Sequence, residues 1–110
     1  MKLIDFGLSK FSDEKTSIFQ DCGTPGYIAP EVIYGHDYTE KIDIFSVGVT
    51  MFMLVAGCAP FDGSDVSDVM RKNKACKIDF TPVEGHISIE GQCLMEAMLN
   101  FNPAKRPSVK

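Results

Sequence analysis

The sequence predicts a mainly α chain, with one short strand ahead of four or five helices, and three observations predict it. Helix-opening prolines, hydroxyls and acids alternate with glycine or proline stops from residue 30 onward. One long uncharged run, Ile44 to Phe61, has the length and composition of a core helix. The whole chain of 110 residues is 45% apolar and 24% charged, which suits one compact unit with a modest core and argues against disorder.

In order, "KLID" from Lys2 to Asp5 reads as the short strand. Leu8 to Ile28 is polar and irregular, and a loop of that length without structure of its own is usually functional. Pro30 suits the first turn of a short helix, "PEVIYG", and Gly35 its end. Thr39 or Asp43 is the expected cap of the long apolar helix, which runs to about Ala56 and is stopped by Gly57. Ser64 or Asp65 opens the next helix, with Val66, Val69 and Met70 on one face. Its acids come early and its bases late, as the helix dipole prefers. Ser88 caps a last helix through Leu99, with Leu94, Met95, Met98 and Leu99 on the buried side, and Asn102-Pro103 ends it.

The run from Ile44 to Phe61 reaches the lower edge of a membrane span, but it holds Ser46, two glycines and Pro60, and Asp43 abuts it. A core helix is the expectation, and no membrane partner. The net charge of −4 gives no nucleic-acid surface, and the cluster Arg71, Lys72, Lys74 and Lys77 is explained by a solvated helix end. Cys22, Cys58, Cys76 and Cys93 form no C-x-x-C pair, and His36 and His86 lie far apart, so no zinc site is expected. Asp5 interrupts the apolar opening before a leader could form, and reduced thiols in the cytoplasm are the expected state.

Four motifs carry the chemistry. Asp5-Phe6-Gly7 is weak alone, but it is followed by "CGTPGYIAPE" from Cys22 to Glu31, "KIDIFSVGV" from Lys41 and "NPAKRP" from Asn102. In that order and spacing, the chain resembles the C-terminal half of a eukaryotic protein kinase domain over essentially its whole length. "GTPGYIAPE" is of the serine/threonine type, and "LVAGCAPF" and "KLIDFGLSK" are most like the calcium/calmodulin-dependent kinase group. The fold implied is an incomplete C-terminal lobe of the α+β kinase fold, with the magnesium loop and activation segment at 5–31 and a helical part at 32–110.

The resemblance assigns roles by position. Asp5 would be the ligand of Mg2+ held against ATP, since hard cations take oxygen ligands. Gly7 would permit the turn beside the nucleotide, and Phe6 would pack inward. Leu8 to Ile28 would be the activation segment, with hydroxyls at Ser9, Ser12, Thr16 and Ser17. Gln20 stands where relatives switched by phosphorylation carry a hydroxyl, which argues against regulation at that place. Thr24 would bridge to the catalytic aspartate, and Gly26, Tyr27 and Ile28 would form the floor under the substrate residue that follows the acceptor. Glu31 would pair with Arg106 as an architectural tie, and Asp43 would hydrogen-bond the catalytic-loop backbone. Phe45 replaces the tryptophan most relatives carry. Arg71 reverses the charge of a glutamate common where basic substrates are preferred.

The glycine-rich loop, the ATP-binding lysine with its glutamate partner and the catalytic loop with its base are not in this sequence, and the resemblance would place them before Met1. The expectation is a fragment of a serine/threonine protein kinase that moves the γ-phosphoryl of ATP to a protein hydroxyl, inactive by itself. Its expected partners are a protein substrate and the N-terminal part of the kinase domain, with calcium- or calmodulin-linked regulation. The alternative is a non-catalytic, kinase-derived binding module. Without its neighbours the Ile44–Phe61 helix would expose an apolar face, so the isolated chain is expected to be poorly soluble or molten.

Overall fold

The computed structural model describes residues 1–11 and 23–109. Among these, four α-helices follow one another: α1 (Pro30–Ile33), α2 (Lys41–Ala56), α3 (Val66–Ala75) and α4 (Ile89–Met98). Two 3-10 turns, Thr81–Val83 and Pro103–Lys105, join and close them. The mainly α class expected from the sequence is therefore the class observed.

Local chemistry sets most boundaries. Pro30 opens α1 at its first position, where its missing N–H has no helical partner to lose. Gly57 ends α2 in the left-handed region at φ 69°, and its N–H bonds the Met53 carbonyl. Asp65 caps α3 by accepting from the Asp68 N–H at 2.8 Å, and Ser88 caps α4 by accepting from the Gly91 N–H at 3.1 Å. Asn102 does not end α4, which stops at Met98. It caps the following 3-10 turn through the Ala104 N–H.

Three expectations are corrected. Residues 2–5 form no strand, because no second strand among the described residues offers a ladder to pair with, and the stretch is exposed. Asp43 does not cap α2, and Thr39 lies one residue ahead of the cap position Glu40, where its Oγ1 accepts from the Lys41 N–H at 3.4 Å. The chain enters it through a tight turn in which the Ile42 and Asp43 N–H groups bond the Thr39 and Glu40 carbonyls, so the leading donors already have backbone partners. Leu94, expected on the buried side, lies 48% exposed on the flank of α4. Met95, Met98 and Leu99, three and four residues apart, take the inward face instead.

The core is built on α2. Phe45, Val49 and Phe52 point inward with Gly48, and Met95 of α4 and Leu99 just after it join them in a core that also holds Val83 and Phe61. Phe45 stacks on Phe61 at 6.3 Å between ring centroids, and Phe52 meets Phe80 edge-on at 5.9 Å. A side chain at Gly48 would lie only 3.0 Å from Leu99, so the glycine lets α2 and α4 approach. The opposite side of α2 is uncovered: Val47 and Leu54 are exposed among the described residues. No helix of the described residues is long and apolar enough to cross a membrane.

Candidate functional site

The strongest polar construction joins residues far apart in sequence. Arg106 is buried and grips Glu31 with both arms, Nη1 to Oε1 at 2.6 Å and Nη2 to Oε2 at 2.8 Å. The guanidinium also donates to the Asn100, Lys41 and Phe101 carbonyls and lies 4.9 Å from the centre of the Phe45 ring. Its own carbonyl accepts from Lys41 Nζ at 2.8 Å. One planar cation thus ties α1, the start of α2 and the chain after α4, a geometry that a lysine could not reproduce.

Just before α1 lies the turn of Gly26, Tyr27 and Ile28. Gly26 takes φ 88°, a conformation that favours glycine. Its N–H donates to Asn73 Oδ1 at 3.1 Å, and Asn73 Nδ2 donates to the Ile28 carbonyl at 2.8 Å. Between them, the Tyr27 N–H bonds the Thr24 carbonyl, and the Tyr27 carbonyl accepts from Ser46 Oγ at 3.0 Å. The Tyr27 hydroxyl reaches Met53 Sδ at 3.0 Å. Helices α2 and α3 therefore both hold this turn. Thr24 is exposed at its edge.

The sequence pointed to Gly26, Tyr27, Glu31 and Arg106: the structure joins Glu31 to Arg106 and places Gly26 and Tyr27 in the turn just before α1. It missed Asn73, which is fully buried. A signal existed: asparagine is a poor interior helix residue, and position 73 continues the inward spacing of Val69 and Met70.

Asp5 and Gly7 stand apart from this group. Asp5 is exposed with φ 62°, and the Gly7 N–H approaches its Oδ1 at 3.4 Å. Phe6 does not pack inward: it is 67% exposed, because no apolar surface of the described residues covers it. Ser9 donates its hydroxyl to the Phe6 carbonyl, while Ser12, Thr16, Ser17, Gln20 and Cys22 lie outside the described residues. The exposed Asp5 carboxylate suits a hard cation as one oxygen ligand, and the described residues form no cluster of three or more metal-ligating side chains. Asp43 is exposed in the first turn of α2, where the helix dipole favours a carboxylate.

The basic cluster on α3 is engaged within the chain. Arg71 and Lys72 both pair with Asp68, Lys72 also reaches the Asp62 carbonyl, and Lys74 sits over the Tyr34 ring. The Arg71 guanidinium, and after it the Lys72 ammonium, holds the Asp68 carboxyl below the usual carboxylate range. Bonds from Thr81 lower Asp79 in the same way. Burial pushes the Cys76 thiol up to about 11, against a smaller opposing effect of Arg106.

Comparison with known proteins agrees with these motifs. The family model of the protein kinase domain matches residues 1–110. The chain is 41% identical to a probable serine/threonine-protein kinase, CCRP1, of Zea mays, over 99% of this chain and 18% of that protein. It is 40% identical to calcium-dependent protein kinase 4 of Plasmodium falciparum (isolate 3D7), over 100% of this chain and 21% of that protein. It is 34% identical to serine/threonine-protein kinase 33 of Bos taurus, over 100% of this chain and 23% of that protein. The chain spans about a fifth of the length of these curated relatives. With its family motifs in order and the family model matched from end to end, the chain belongs to the protein kinase domain family.

Proposed function

We propose that this chain is the substrate-side part of a serine/threonine protein kinase that transfers the γ-phosphoryl of ATP to a protein hydroxyl. The observation that carries this reading is the two-armed Glu31–Arg106 tie, 75 residues apart, which fixes the segment just after the Gly26–Ile28 turn. Phosphoryl transfer depends on positioning and charge stabilisation more than on covalent chemistry from the protein. A turn held by two helices is what a substrate floor requires.

In this reading residues 5–31 are the magnesium loop and activation segment, and residues 32–110 the helical support. Asp5 would hold Mg2+, whose charge offsets that of the ATP phosphates. Gly7 would let the backbone turn beside the nucleotide. Thr24, Gly26 and Tyr27 would orient the acceptor peptide, and Asp43 would brace the catalytic loop from the head of α2. The base that receives the hydroxyl proton is assigned to no residue of this chain. The likeness to a calcium-dependent kinase supports a place in the calcium-linked group. The free thiols of Cys58, Cys76 and Cys93 suit the cytoplasm.

The test is phosphoamino-acid analysis of a mixed peptide pool incubated with labelled ATP and the complete protein that carries this chain. Label on serine or threonine supports the reading. Label on tyrosine alone overturns the acceptor class, and no label at all favours a non-catalytic binding module.

A further inference from the structure

Among the described residues the buried polar and charged side chains are Glu31, Asn73 and Arg106. The first and last answer one another. Asn73 has a different reason to be inside. It occupies the inward face of α3, a ten-residue helix whose neighbouring inward positions, Val69 and Met70, are apolar. A buried carboxamide is costly unless its donor and acceptor are both used. Here both are used on one target, the acceptor on the Gly26 N–H and the donor on the Ile28 carbonyl.

We infer that Asn73 is a positioning residue for the Gly26–Ile28 turn, and through it determines which side chain the kinase accepts immediately after the phosphorylated hydroxyl. The inference rests on the kinase reading above and deepens it.

Asn73 acts on the backbone of the turn. Gly26 lacks a Cβ and sits at φ 88°, and a Cβ there would make only ordinary contact with Val69 at 3.5 Å. Without a Cβ the glycine backbone has no side chain of its own to restrict it, and hydrogen bonds help to hold its conformation. The Tyr27 N–H bond to Thr24 is local to the turn. Ser46 on α2 holds the Tyr27 carbonyl, and Ser46 is shared with the Ile42 carbonyl of its own helix. Asn73 supplies two further bonds among the described residues, one on each side of Tyr27, from a single rigid plane. Remove that plane and the turn loses its tether to α3. It can then take several conformations, so the pocket it shapes accepts a wider range of side chains. Leucine at 73 matches the size of asparagine but offers neither bond. Aspartate keeps the acceptor for Gly26 and loses the donor to Ile28 unless it is protonated.

The experiment uses the complete protein that carries this chain and a peptide library varied only at the residue following the acceptor. Ratios of kcat/KM among these peptides do not depend on the fraction of enzyme that folds, so a merely structural role leaves them unchanged. Asn73→Leu is expected to flatten the preference at that position by about fivefold, the scale of one net hydrogen bond, with the KM for ATP unchanged. Asn73→Asp is expected to show a preference that returns towards wild type as pH falls, since burial raises the carboxyl and the protonated form restores a donor. If Asn73→Leu does not fold, the Asp variant decides alone. A wild-type preference in the folded variants, independent of pH, overturns the inference. A wild-type protein that phosphorylates no peptide overturns the kinase reading itself.

Discussion

Replacing Arg106 by alanine is the perturbation whose cost the structure specifies most fully. The guanidinium is buried, so its loss leaves the Glu31 carboxylate, 6% exposed, without its counter-charge. Breaking a buried pair on one side costs about 3–5 kcal/mol. The Lys41, Asn100 and Phe101 carbonyls lose a donor as well, and water can replace it for the more open ones. The expected loss therefore lies at or above the upper half of that range. In the cycle of Arg106→Ala, Glu31→Ala and the variant carrying both, the double removes the orphaned charge and should be less destabilised than the sum of the singles by roughly 2 kcal/mol or more. Urea unfolding of the complete protein, followed by far-ultraviolet circular dichroism, gives the four free energies of the cycle. A loss below about 1 kcal/mol for Arg106→Ala, or additivity within about 0.5 kcal/mol, would refute the claim that this pair ties the lobe together.

Three further outcomes follow from the packing and the thiols. Gly48→Ala should lose about 1–3 kcal/mol of packing, because the new methyl would meet Leu99 at 3.0 Å and Met98 at 3.1 Å. Helix propensity offsets about 1 kcal/mol of this, for a net loss of about 0–2 kcal/mol in the same urea experiment. Under iodoacetamide at neutral pH, Cys76 should be modified far more slowly than the exposed Cys58 and Cys93, read by peptide mass spectrometry. The sign of its pH dependence is fixed: a thiol raised from 9.0 to about 11 by burial favours the folded state below about pH 9. That contribution is lost as pH rises through about 11, so Cys76→Ala should reduce the alkaline loss of stability.

The sequence disclosed the fold where local chemistry decides it. Pro30, Gly57, Asp65 and Ser88 set the ends of the four helices through backbone rules that need no tertiary context. Context decided the rest. A strand at residues 2–5 needs a partner strand, and a capping side chain at α2 is unnecessary once a tight turn has satisfied the leading N–H groups. Leu94 and Leu54 are as apolar as their buried neighbours, yet they sit on sides that no described residue covers. The site was legible where its residues belong to contiguous motifs, as with Gly26, Tyr27 and Glu31. Asn73 belongs to none: its role comes from a contact 47 residues away, visible in sequence only as a polar residue on an apolar face.

The most direct test of the central claim compares γ-phosphoryl transfer from ATP to a serine peptide by the complete protein and by its Asp5→Asn variant. Asp5 is exposed and, among the described residues, its carboxylate bonds its own local turn, so the substitution is expected to leave the fold intact. A magnesium ligand supplies several kcal/mol of charge stabilisation, so transfer should fall by about 100-fold or more while the unfolding midpoint stays unchanged. Equal transfer by the two proteins would contradict the assignment of Asp5, and with it the account of this chain as the working half of a kinase metal site.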